Sequence, residues 1–336
     1  MVKILPLSMT NIANTSGSEV LDILHARSPY FEPYLFSNYL QIHFAINKVT
    51  GEQYINFIAP QYNECILLDY SRTHETDEIK NNITQWLKET ILDEQYIFID
   101  LNERWLPFSD AFEKRDFVHH HMVYGFSDEK ECFYLRGTDK SRHLKSMEVA
   151  YRDIINAVTC REEFCELETL KLRVDAIYEV DWGYIYLDAC RYTQRFIDGT
   201  RDVTVYLGTQ LYPKFINLID LIANDEYQTD SRPFALFRGH KNILVRYTAF
   251  FKKNGVRLDF DMEQTMQKIA SMADINEKLF IKYMITKNDD NLKKIQQNLS
   301  EICDEEERMF PQIAEGLRRH LDEMKWEKPF WFNNKR

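Results

Sequence analysis

Nothing in the 336 residues approaches the roughly 20 consecutive apolar positions that a membrane-spanning helix needs. Met1 to Pro6 is too short for a secretory signal, so the sequence points to the cytoplasm. Glycine and proline are scarce, at 10 and 9 residues, which leaves little linker material and argues for a chain folded throughout. Repeats, low-complexity tracts and basic amphipathic stretches are also missing, against a solenoid, a disordered arm or a membrane anchor. Six cysteines without framework spacing argue for reduced thiols. Cys160 and Cys165 lack the second pair that would complete a zinc site. Basic excess is lacking as well. With 53 acidic against 42 basic residues and a net charge of −11, nucleic acid is disfavoured as the main partner, because neutralising phosphates needs a basic surface. A cationic small molecule is tolerated.

What is plentiful is core material. Aromatics make up 14% of the chain, enough for one large or two modest cores. The most informative stretch runs from His119 to Asp139. Val118 to Phe126 alternates, Ser127 to Lys130 breaks the pattern and Cys132 to Leu135 resumes it, which predicts a β-hairpin. Side chains on a strand alternate, so His119, His121 and Val123 share one face while His120 and Met122 share the other. A five-residue loop sets Phe126 opposite Cys132 and His119 opposite Asp139. A four-residue loop sets Thr138 there, unless a bulge near Gly137 restores the register. A carboxylate across from an imidazole fixes its tautomer and stabilises the imidazolium, as a general base in acyl transfer requires.

Earlier in the chain, Ser16 to Ala26 reads as a helix, with Ser16 and Glu19 spaced as a capping box. Strands are expected at Tyr54 to Ile58, Cys65 to Tyr70 and Tyr96 to Leu101, and Tyr34 to Phe44 suits a strand or short helix. Thr76 caps a helix to Leu92, and Met147 to Val158 closes this half as another. From about Cys160 the texture turns helical: Trp182 to Phe196, Tyr212 to Asn224, Pro233 to Lys253, Met262 to Lys287, and Asn291 to Met324 with Pro311 as a kink. An α/β half over residues 1–158 and an α-rich half over 159–336 follow.

The order of a helix N-terminus, a His strand and a carboxylate strand resembles papain-like proteins. Ser16-Gly17-Ser18 is similar to the Cys-Gly-Ser of a papain nucleophile, and His119, six before Gly125, matches the spacing of C39-like peptidases. YLFSNYLQ from Tyr34, the YGFSDEKECFYLRG hairpin, VYLGTQLY from Val205 and RPFALFRGHKNILVRY from Arg232 resemble the butirosin biosynthesis protein H N-terminal family of nonribosomal peptide gene clusters. That resemblance implies a papain-like cysteine-protease fold and an N-acyltransferase of antibiotic biosynthesis. Such an enzyme moves an acyl group from the phosphopantetheine thioester of an acyl or peptidyl carrier protein to a small amine or diamine, with no bound cofactor. In the implied triad the residue at Ser16 takes the acyl group, His119 shuttles the proton and Asp139 holds His119. Asn11 or Asn14 joins the Ser16 N–H in an oxyanion hole, and His121 lines the acyl channel.

The family pattern has Cys where this chain has Ser16, a poorer nucleophile toward thioesters. Serine here replaces a cysteine, or is itself the nucleophile, or the chain does no covalent chemistry. A hydrolase or thioesterase with the same triad, and a catalytically silent binding protein, are the competing readings. Each site residue also has an ordinary role open to it: turn formation for Asn11 and Asn14, turn capping for Asp139, a surface strand position for His119. No metal site is expected, since the sequence shows no second ligand cluster beside the histidines. Cys65 and Cys132, the other candidate nucleophiles, lie in apolar runs that favour buried structural thiols. Arg238, Lys241, Lys252 and Lys253 form a candidate basic surface for an acidic carrier protein. A homodimer is compatible with the sequence, which sets no oligomeric state.

Overall fold

A computed structural model describes residues 1–9, 18–138, 144–161, 165–194 and 197–326. The chain begins with β1 (Val2–Ile4), α1 (Ser18–Arg27) and α2 (Phe31–Asn38), followed by the strands β2 (Ile42–Asn47), β3 (Gln53–Phe57) and β4 (Leu68–His74). Thr76 caps α3 (Asp77–Asn81), its hydroxyl accepting from the Ile79 N–H. The helix expected to reach Leu92 breaks at Asn82 and restarts as α4 (Ile83–Leu92). The Asn82 side chain donates to the Glu78 carbonyl there, competing with the helical ladder.

Next come β5 (Gln95–Asn102), β6 (Val118–Ser127), β7 (Cys132–Thr138), β8 (Leu144–Ala150), α5 (Tyr151–Thr159) and β9 (Glu166–Leu172). The helix expected from Met147 starts only at Tyr151, because residues 144–150 continue the meander by pairing along β7. The remaining elements are α6 (Trp182–Tyr192), β10 (Ile197–Gly199), β11 (Val203–Leu207), α7 (Leu211–Ala223), α8 (Arg232–Lys253), α9 (Met262–Thr286) and α10 (Asp289–Glu323). Mixed α and β structure with antiparallel sheets is thus the fold class. Among the described residues no helix is long and apolar enough to cross a membrane.

Two compact units divide the chain. The first holds Pro60–Tyr178 and the described residues up to Phe31; the second holds Glu32–Ala59 and the described residues from Glu179. This differs from a division at residue 158. β2 and β3 fold with the second unit, and β9 completes the first.

The first unit is a seven-stranded sheet in the order β4-β9-β5-β6-β7-β8, with β1 pairing the end of β6. Gly125 lets β1 pass, since a Cβ there would lie 3.0 Å from the Ile4 Cα and the Lys3 carbonyl oxygen. One sheet face buries Ile97, Ile99, Val123, Phe126, Phe133 and Leu135. α4 packs on that face, with the Lys88 ammonium over the Phe126 ring. Burial of side chains this size contributes roughly 1.5–3 kcal/mol each. The other face carries Tyr96, Phe98 and Met122 and faces α1, whose Val20, Leu21, Ile23 and Leu24 are buried.

In the second unit, β10-β11-β2-β3 form an antiparallel sheet, and β3 contacts α8. α8, α9 and α10 pack in sequence, with α6 and α7 also against α10. α10 continues through Pro311, so the helix absorbs the lost backbone donor.

Candidate functional site

β6 carries three consecutive histidines, and the pleat sends them to opposite faces of the first unit's sheet. The hairpin loop between Ser127 and Cys132 has four residues, Asp128 to Glu131, and a bulge at Tyr124 shifts the register so that Val123 opposes Leu135 and Met122 opposes Arg136. This is the register a five-residue loop would have set, reached by a bulge in the first strand instead.

On the face of Val123, His119 and His121 meet Glu103. This glutamate opens a 3-10 turn at the end of β5. The Asn102 side chain holds the turn by accepting from the Arg104 and Phe117 N–H groups, 3.1 and 3.2 Å away. His119 Nδ1 lies 2.9 Å from Glu103 Oε1, and His121 Nε2 lies 3.2 Å from the same oxygen. The first contact is a hydrogen bond. The second is a close approach without hydrogen-bond alignment, and His121 Nε2 is left with no hydrogen-bond partner. Ser109 Oγ donates to the other carboxylate oxygen.

His119 is 59% exposed at its side chain, Glu103 12% and His121 5%. Burial works to raise the Glu103 pKa, but His119, His121 and Ser109 together override it and hold the carboxyl well below its usual range. The hydrogen bond to Glu103 raises the His119 pKa. Burial lowers that of His121.

On the other face, His120 stands directly opposite Asp100 on β5, with Nδ1 2.9 Å from the carboxylate. The His120 ring stacks on Phe98, centroids 5.4 Å apart, and Phe98 stacks on Tyr62. His120 Nε2 is 3.7 Å from Glu168 on β9. Glu168 accepts from Tyr62, from Tyr70 at 2.7 Å and from Arg72 at 2.8 Å. Burial works to raise the Glu168 pKa, and these donors bring it below the ordinary value instead. The His120 hydrogen bond is the main cause of the lowered Asp100 pKa.

Arg136 decides which face α1 shares. It opposes Met122 and so projects beside His120, not His119. Its guanidinium binds Ser18 Oγ at 2.8 Å, Glu19 at 2.8 Å and Asp22 at 2.6 Å, fastening the first turn of α1 to that face. Ser16 precedes Ser18 by two residues in the chain.

Of the residues singled out in the sequence, Asn11, Asn14, Ser16 and Asp139 lie outside the described residues. His119 and His121 come together, but on the face opposite the Arg136 clamp. Cys65 and Cys132 are buried and form no disulfide. Burial pushes the Cys132 thiol up and the Cys165 thiol up to about 11, so neither is an activated thiolate at neutral pH. Of the candidate basic surface, Lys241 drops out, being wholly buried against Glu306, while Arg238 pairs with Glu277 and the exposed Lys253 with Glu32. Sequence reasoning missed Glu103, Asp100 and Glu168. Asp100 left a signal, a carboxylate on the same alternating face as Tyr96 and Phe98. Glu103 left none, because its approach depends on a turn that returns from the end of a strand.

No protein-family model matches the chain, and no curated protein matches it. The likeness to carrier-dependent acyltransferases therefore rests on the stretches of sequence quoted above.

Proposed function

We propose that this protein is a papain-like N-acyltransferase, using the imidazole that shares a face with α1 to move an acyl group from a carrier-bound thioester to a small amine. The observation that carries the reading is His120 directly opposite Asp100 at 2.9 Å, on the sheet face to which Arg136 fastens the first turn of α1. The reading assigns the proton shuttle to His120 and its orientation to Asp100, in place of His119 and Asp139.

The chemistry follows from those groups. His120 takes the proton as the nucleophile expected at position 16 attacks the thioester carbonyl. The C–S bond breaks, the phosphopantetheine thiol leaves with the proton from the imidazolium, and an acyl-enzyme remains. An amine then attacks the acyl carbon, His120 accepts its proton, and the position-16 side chain is released. A serine at this position slows the first attack, since its hydroxyl must lose a proton that a thiolate has already shed.

Intact-mass measurement tests the reading. The protein and its Ser16→Cys variant are incubated with an acyl thioester of N-acetylcysteamine, then with a diamine. An acyl adduct on the cysteine form, discharged by the amine as amide, is the expected result. His120→Ala should slow its formation by at least about 100-fold, the scale of general acid–base catalysis, with His119→Ala changing it little. Discharge by water alone would make the protein a hydrolase. An adduct in neither form would leave binding without catalysis.

A further inference from the structure

The opposite face of β6 carries a second arrangement, independent of acyl transfer. We propose that Glu103, His119 and His121 form a binding site for a divalent transition-metal ion of the zinc class, with the protein supplying three ligands. Each residue offers one ligand atom, and all three atoms lie within 4.8 Å of one another. Two imidazoles and one carboxylate are a donor set that zinc and its neighbours accept, with the remaining position left to water or substrate.

The spacing fits. Ligands at about 2.0–2.1 Å from a tetrahedral ion stand roughly 3.3 Å apart. Glu103 Oε1 is 2.9 Å from His119 Nδ1 and 3.2 Å from His121 Nε2, so each of these two pairs opens by only a few tenths of an ångström to admit an ion, and the two imidazole nitrogens stand within 4.8 Å of each other.

His121 supplies the separate argument for a ligand. It is 5% exposed at its side chain, and its Nε2, turned to the Glu103 carboxylate, has no hydrogen-bond partner. A buried imidazole nitrogen whose one polar neighbour is a misaligned carboxylate oxygen is poorly satisfied, and a cation placed between the two accepts the nitrogen's lone pair and the carboxylate's charge together. Ser109 completes the picture. Its hydroxyl binds the second oxygen of Glu103, which orients the carboxylate and frees Oε1 for the ion, as partners behind metal ligands do. His119 is more than half exposed, so the site opens to solvent on one side.

Chelator-treated protein is titrated with Zn²⁺ by calorimetry and with Co²⁺ by visible absorption. One equivalent should bind, with the intense bands of tetrahedral cobalt. His119→Ala and Glu103→Gln should each weaken zinc binding by about 10-fold or more, and Ser109→Ala by a smaller factor. Circular dichroism of each variant shows whether it is folded, and His119, being exposed, is the substitution least able to disturb folding. His120→Ala is the deciding control. Equal affinity in that variant supports the site. Loss matching that of His119→Ala overturns it, because zinc would then be held by the run of three histidines as an adventitious chelate. Absence of stoichiometric binding in the folded parent protein also overturns it.

Discussion

Asp188 shows how far one side chain can depart from its sequence neighbourhood. It lies on α6, is buried, and has a carboxylate oxygen without a hydrogen-bond partner. Burial raises its pKa to about 7. The folded chain therefore holds a proton that the unfolded chain releases near pH 4, and raising the pH from there to 7 destabilises the fold. Asp188→Asn should leave stability almost unchanged at pH 4 and raise it at pH 8 by on the order of 3–4 kcal/mol, read from urea midpoints at the two pH values. His43 has the complementary sign. Burial lowers its pKa to about 4, so stability falls as the pH drops below 6.5 and the unfolded chain takes up the proton. Neither group announces itself in the sequence, where Asp188 reads as one polar position on a mixed helix.

At the scale of elements, four helices of the second unit meet at one carboxylate. Glu306 of α10 binds Lys241 of α8 at 2.6 Å, and its other oxygen accepts from Tyr192 at the end of α6 and from Tyr212 of α7, 3.1 and 2.5 Å away. Lys241 also lies over the Phe237 ring, and both charged groups are fully buried. Glu306→Leu strands an ammonium in the core and should cost about 3–5 kcal/mol of unfolding free energy, read from urea denaturation. Adding Lys241→Met should restore most of that loss, since a fully apolar replacement removes the stranded charge. The helices themselves were legible, because apolar residues recur at helical spacing along α7, α8, α9 and α10. Lys241 was not: in sequence it reads as a solvated position, and only the packing of four helices around it makes an ion pair of it.

For the whole molecule, the element that divides best in sequence is not the one that divides in space. The change of texture near Cys160 suggests a boundary, yet β9 lies beyond it and sits between β4 and β5, bonded to both. A fragment ending at residue 158 lacks the strand that joins β4 to the sheet. It should show no cooperative thermal transition by circular dichroism, and a chain extended to residue 178, with residues 32–59 of the second unit replaced by a Gly/Ser linker, should show one. β9 escaped notice because ELETLKL places the partly charged partner of Tyr62, Tyr70 and Arg72 in the middle of a buried strand. Its period-2 signal is broken by a glutamate whose partners come from other segments.

The sequence by itself determined the hairpin, the alternation of the three histidines and the long helices, all of which depend on neighbours within a few residues. Tertiary structure alone decided that β5 lies beside β6, bringing Asp100 to His120 and Glu103 to His119 and His121, and that Arg136 fastens α1 to the His120 face. The physical reason is range: periodicity and capping are local energies, whereas strand adjacency and the pairing of buried charges are settled by which surfaces exclude water together.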